Sequence, residues 1–262
     1  MKRSWRRPPF IRSAWLRRGV AAAALLYLAS ALATIHPNWS RLAEGAGRGA
    51  AFLAAFLHPD FFSRASDIGE GMIESLAMTA VATVLGIALS LPVAFGAARN
   101  LSPLPIYLLC RGIVAIARSF HEVVVAILFV VMVGFGPLAG VLTLSVASIG
   151  FLGKLLAEAI EGLDRSQVEA IRATGAGRLQ VGAWGVLPQI LPRLVGLSVY
   201  RLDINFRESA VIGIVGAGGV GATLATAFSR YEFATAAAIL ILIIGIVLAG
   251  EIASGRLRRG LL

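Results

Sequence analysis

Apolar runs longer than the roughly 18 residues that argue for a membrane crossing recur along this 262-residue chain, and they dictate its fold class. Hydrocarbon offers no water, so every backbone N–H and C=O must be paired within the crossing structure. Only helices and closed barrels meet that condition. A barrel would show short alternating segments, whereas these runs are long and continuous. The chain is therefore expected to be an all-α polytopic membrane protein. Composition agrees: 58% of residues are hydrophobic and 15% charged, against about 25% charged in soluble domains.

Six transmembrane helices are predicted, near residues 20–35, 72–95, 106–135, 138–157, 186–199 and 233–249. The net charge of +10 is almost all arginine, since Lys2 and Lys154 are the only lysines. In a soluble protein that balance would suggest nucleic acid. Here the arginines sit at the ends of apolar runs, so nucleic acid is excluded as a partner and membrane lipid is expected. The positive-inside bias places both termini in the cytoplasm: seven Lys/Arg precede the first span, and Arg256, Arg258 and Arg259 follow the last. The basic N-terminus followed by an apolar run is also the pattern of a secretory signal. The sequence Ala-Thr-Ile-His-Pro-Asn-Trp at 33–39 is a poor cleavage site, so a retained first helix is read. Residues 41–70 read as an external loop carrying a surface helix. Lone Cys110 excludes an internal disulfide, and no Cys/His cluster suggests a metal.

The most specific polar interruption is Ser166 to Pro192, S-Q-V-E-A-I-R-A-T-G-A-G-R-L-Q-V-G-A-W-G-V-L-P-Q-I-L-P. Ser166 and Glu169 have capping-box spacing, and Gly175 and Gly177 suit a helix end. A second helix is expected from Arg178 to Val186, interrupted at Leu187-Pro188 because proline has no N–H. The prolines at 188 and 192 predict a bend near a gate.

A second polar island, Tyr200 to Ser209, carries Asp203 and Arg207 four residues apart. Arg118 and Glu122 have the same spacing, so both pairs are expected to share a helix face and pair. Charges at membrane depth face a bundle interior or an aqueous cavity. Arg118, Asp203, Arg207 and Glu208 are thus candidates for lining an anion path as well as for structural pairing. Gly216-Ala-Gly218-Gly219-Val-Gly221 matches G-x-G-x-x-G by letter, but without a βαβ unit it is no dinucleotide site. Neither a Walker sequence nor a hydrolase or metalloprotease motif is present, so no catalytic residue is assigned.

Glu169-Ala170, Gly175 and Leu187-Pro188 fall in the register of E-A-A, three residues, G, nine residues, I, one residue, L-P. That pattern resembles the cytoplasmic signature of binding-protein-dependent ABC importer permeases, the type I, MetI-like family. Two positions depart from it: Ile171 replaces the third residue and Gly185 the isoleucine. The resemblance covers residues 72 to the C-terminus and implies a coupling helix docked on a separate ATPase. R-L-D-I-N-F-R-E-S-A-V-I-G-I-V-G-A-G-G-V-G resembles the phosphonate-uptake branch. What this implies is a permease core at 72–255 with a cytoplasmic coupling loop at 158–186. Before the core come a basic tail, first helix and external loop at 1–71; a basic tail at 256–262 follows it.

The resemblance further implies residence in the bacterial cytoplasmic (inner) membrane. The implied partners are ABC ATPase subunits, an extracytoplasmic phosphonate-binding protein and a second permease copy, with ATP-Mg held by the ATPase and no cofactor in this chain. Phosphite, hypophosphite, phosphate esters or methionine are alternative cargoes. A membrane scaffold or enzyme without an ATPase is the competing class.

Overall fold

A computed structural model describes residues 13–34 and 38–261, and among these every regular element is helical. Residues 1–12, 35–37 and 262 lie outside the described residues. Most of the expected N-terminal basic tail and the helix-ending His36-Pro37 fall there.

Two compact units divide after Leu53. The first holds α1 (Ala14–Thr34) and most of α2 (Trp39–Ala55). The apolar α1 is long enough to cross a membrane. In α2, Arg48 and Glu44 pair at 3.5 Å one turn apart, so most of the expected loop is a helix.

The second unit begins with α3 (Ala65–Ala97), α4 (Leu104–Ser119), α5 (Glu122–Val133) and α6 (Pro137–Glu161). Polar contacts fix the register of α3 against α6. Ser145 Oγ reaches the Ala82 carbonyl, Ser90 Oγ donates to the Ser148 carbonyl, and Asn100 just beyond α3 donates to Ile160. Residue numbers rise together, so α3 and α6 run parallel. Small residues allow the approach: a Cβ on Gly86 would collide with Ser148. In lipid, such close packing rather than hydrophobicity drives helix association.

Parallel neighbours require α4 and α5 to return along the whole length of α6, about 37 Å at 1.5 Å per residue. They do so with a 95° bend between them. The pair therefore serves as one crossing, as expected for residues 106–135. Arg118 and Glu122 do not share a helix face, because the break falls between them. Gly134 and Gly136 turn the chain at positive φ into α6, where only glycine is unstrained.

After α7 (Arg165–Ala173) and a short α8 (Arg178–Gln180), a π-helical turn at Val181–Val186 leads into α9 (Leu187–Ile212). Val186, Ile190 and Leu194 pack with Ala94, Ala98, Leu152, Leu156 and Ile160. Ile212 packs at the other end, with Met78, Ala126 and Ala139. Thus α9 runs antiparallel to α3 and α6.

Pro192 lies within α9 without ending it, and Pro188 is accommodated at its first turn. The helix is thus not interrupted at either proline. Instead, a 59° bend separates α9 from α10 (Val220–Ser229). Gly216, Gly218 and Gly219 adopt φ of 99°, 79° and 71° there, and Ser75 Oγ accepts from Val220 N at 2.9 Å. Finally α11 (Phe233–Leu261) starts beside α3, where Glu232 pairs with Arg64 at 2.9 Å. It continues toward the middle of α9, with Gly250 near Asp203. Side chains of residues 257–261, including Arg258 and Arg259, lie outside the described ones.

Among the described residues, four helices are long and apolar enough to cross a membrane, or up to six if each bent pair is one span. Beside the apolar core, polar side chains are buried and large apolar ones are exposed. Ser75, Thr79, Thr83, Ser90, Thr143, Ser145, Ser148, Arg201, Asn205 and Ser209 are buried, while Val84, Leu89, Val124, Leu128 and Val131 are exposed. A contiguous apolar exterior of this kind suits lipid. The chain is a multi-pass membrane protein.

Candidate functional site: the α7 loop and the break between α4 and α5

Asp164, rather than Ser166, caps α7: its carboxylate accepts from Ser166 N at 2.9 Å. The Ser166–Glu169 capping box is therefore not formed. Hydrogen bonds from the Ser166 backbone and hydroxyl hold the Asp164 carboxyl below its usual range. At the other end, Thr174 caps α7 and Gly175 follows at φ 82°. Its N–H donates to the Arg172 carbonyl at 3.0 Å, the bond of a left-handed helix end.

The faces of α7 divide cleanly. Val168 and Ile171 are half-buried, while Ser166, Glu169, Ala170, Arg172 and Ala173 are exposed. A Cβ built on Gly185 would lie 3.6 Å from Ile171 Cγ1 and 3.7 Å from Val168 Cα. The two departures from the signature therefore face one another. A larger residue at 171 meets a smaller one at 185, and the contact between α7 and the π turn is kept. Leu187 opens α9, and its N–H bonds back to Gly182, the long step of a π helix. That widened turn precedes Pro188, while the Gln189 amide donates to the Gly185 carbonyl.

Contacts at Glu161 tie the start of this loop to the end of α3 and the middle of α4. Glu161 accepts from Arg99 N at 2.9 Å and from Arg111 Nη2 at 2.8 Å. The Arg111 Nε donates to the Ala97 carbonyl at 2.9 Å. A cleft of about 200 Å³ opens beside α7, lined by Asn100, Arg165, Glu169 and Arg172 among others. The expected loop at 158–186 thus contains the last turn of α6, α7, α8 and the π turn.

The four expected path residues separate into two groups. Asp203 and Arg207 pair at 2.8 Å on α9 and border a cleft against α11 with Tyr200 and Glu251. Arg118 lines a different cleft, of about 340 Å³, at the α4–α5 break. Glu208 connects to that cleft through Arg201, at 3.4 Å.

Arg201 was not singled out by spacing, because it has no acidic residue at i±4 and its partner Glu208 lies two turns away. It is 2% exposed. Its Nε donates to Ser148 Oγ at 2.9 Å, and its guanidinium lies 5.6 Å from the Phe151 ring centroid. Asn205, one turn on, donates to Thr83 Oγ1 at 2.8 Å. Arg201, Asn205 and Glu208 share one α9 face, whereas Asp203 and Arg207 share another. Among the described residues, no group of three or more His, Cys, Asp or Glu side chains is arranged to hold a metal.

Residues 86–261 match the family described as "Binding-protein-dependent transport system inner membrane component". The chain is 43% identical to the phosphate-import permease protein PhnE of Mycolicibacterium smegmatis, over 76% of this chain and 38% of that protein. It is also 43% identical to the phosphite transport system permease protein PtxC of Stutzerimonas stutzeri, over 77% of this chain and 73% of that one. Among solved structures, it resembles a chain of the inward-facing MetNI methionine ABC transporter. The TM-score is 0.63 and the identity 27%, covering 74% of this chain and 96% of that one.

Proposed function

Because the chain belongs to the family of binding-protein-dependent transport system inner membrane components, we propose that it is the permease subunit of an ABC importer that moves phosphonates inward. The carrying observation is the similarity to permeases named for phosphate and phosphite. Those cargoes, like phosphonates, are tetrahedral phosphorus oxyanions. Phosphite is the second reading, favoured by the 73% coverage of the phosphite permease.

In this reading α7 is the coupling helix. Its exposed face, with Glu169 and Ala170, docks on an ATPase subunit that holds ATP-Mg, and Gly175 fixes the bend behind it. Leu187 and Pro188 join the docked segment to α9 through the π turn. Movement of α7 then reaches the polar layer around Arg201 without a flexible joint. The α7 end of the bundle is cytoplasmic, and both termini lie on that side of the inner membrane. An extracytoplasmic phosphonate-binding protein delivers cargo at the opposite end, and a second permease copy completes the pathway. Of the expected path residues, Arg118 and Glu208 border the route, while Asp203 and Arg207 brace α9 against α11.

Growth tests this reading. Cells lacking phosphonate uptake, supplied with this chain and its cognate ATPase and binding protein, should grow on methylphosphonate as the sole phosphorus source. Growth on phosphite alone would favour the second reading. Growth on neither would refute both.

A further inference from the structure

The cleft at the α4–α5 break combines features that neither helix packing nor coupling requires. Its lining includes Arg118, Ser119, His121, Glu122, Phe151 and Arg201. Arg201 lies level with Ser148, about halfway along α6. A buried guanidinium at that depth is costly and marks a functional site by default.

Its compensation is shared between the Phe151 ring and few hydrogen bonds. Arginine has five N–H donors. Among the described residues, its hydrogen bonds go to Ser148 at 2.9 Å and Glu208 at 3.4 Å. The second is long for a charge-assisted bond, normally about 2.7–2.9 Å. Nearby, the fully buried Asn205 has an Oδ1 without a partner among the described residues. The polar layer is built but not closed.

We propose that this cleft is a transit site for a tetrahedral oxyanion that carries its own proton, with Arg201 and Arg118 as donors and Glu122 as acceptor. The inference rests on the importer reading above and specifies its cargo chemistry. Two guanidinium groups alone would favour any small anion. The carboxylate of Glu122 adds a demand that the bound anion present a hydrogen. Phosphonate, phosphite and phosphate monoanions have acidic hydroxyls near neutral pH and can donate to it. Sulfate has only acceptor oxygens and meets the carboxylate as an unrelieved repulsion. Glu122 also keeps the site weak. Transport requires such balance, because cargo must leave as readily as it enters.

The test uses the full chain in complex with its ATPase, in detergent and without the binding protein. The readout is 31P NMR line broadening of methylphosphonate. Broadening should be reversed by inorganic phosphate and not by an equal concentration of sulfate. Arg118→Gln, at an exposed position, should weaken binding at least fivefold. Arg201→Lys should do the same, because it keeps the charge but loses the planar fork. Glu122→Gln should let sulfate compete, and in transport should lower KM and turnover together.

Equal competition by sulfate in the unaltered chain would overturn the proposal. So would unchanged binding in both Arg118→Gln and Glu122→Gln, which settles the matter even if Arg201→Lys fails to fold. Phosphonate uptake that persists with unaltered kinetics in those two variants would remove this site and leave the importer reading standing. Absence of uptake of every phosphorus oxyanion by the unaltered complex would remove the reading beneath it.

Discussion

Replacing Gly175 separates backbone geometry from packing. Its φ is 82°, and a Cβ there would have nothing within 4 Å. A Cβ therefore meets no neighbour in this chain, and the left-handed conformation is what counts against it. For an ordinary L-residue that conformation costs about 1–2 kcal/mol, and a β-branched residue is worse placed still. On the same scale, that energy changes a two-state ratio by about 5- to 30-fold. Asparagine tolerates the left-handed region. The expected order of coupled uptake is thus glycine and asparagine together, then alanine, with valine lowest. In proteoliposomes, Gly175→Val should lower phosphonate moved per ATP hydrolysed by about 5-fold or more, while Gly175→Asn stays within about twofold. If valine and asparagine behaved alike, the bend would not be what positions α7.

Other expectations follow from single contacts. Asp164→Ala should increase hydrogen exchange at the first amides of α7, and Asp164→Asn, which can still cap, should not. The Asp164 carboxyl is held below its ordinary value. Its contribution is therefore present above the unfolded pKa and lost as pH falls through the lower folded one; fraying of α7 in the unaltered chain should rise only under acid conditions, below about pH 4. Gly86→Val would drive a side chain into Ser148 and should destabilise the bundle by about 1–3 kcal/mol, read as a lower unfolding midpoint in detergent. Arg207→Gln removes an ion pair whose arginine is about half exposed and should leave the KM for phosphonate within about twofold, as exposed pairs contribute about 0–1 kcal/mol.

Long-range periodicity made the helical class and the crossings legible, since hydropathy reports lipid exposure directly. Local spacing was less faithful. Ser166 and Glu169 had the letters of a capping box, yet Asp164 lies closer to the turn that starts α7 and takes the cap. Arg118 and Glu122 had helical spacing, but spacing carries no information about a 95° break falling between them. The prolines at 188 and 192 predicted a bend. Pro188 opens α9 just after a π turn, α9 continues through Pro192, and a 59° bend lies beyond, at glycines of positive φ. Arg201 was not legible from spacing, because Ser148 is 53 residues away and Glu208 lies two turns on rather than one. The mutual fit of Ile171 and Gly185 was likewise unreadable until α7 was seen packed on the turn.

The central claim is that this chain conducts a phosphorus oxyanion under the control of an ATPase supplied in trans. The most direct measurement is ATP hydrolysis by proteoliposomes containing this chain and its cognate ATPase, with the binding protein and methylphosphonate added singly and together. Stimulation only when both are present is the predicted result. Stimulation by the binding protein loaded with a non-phosphorus solute would contradict the cargo, and failure to assemble with any ATPase would contradict the role assigned to α7.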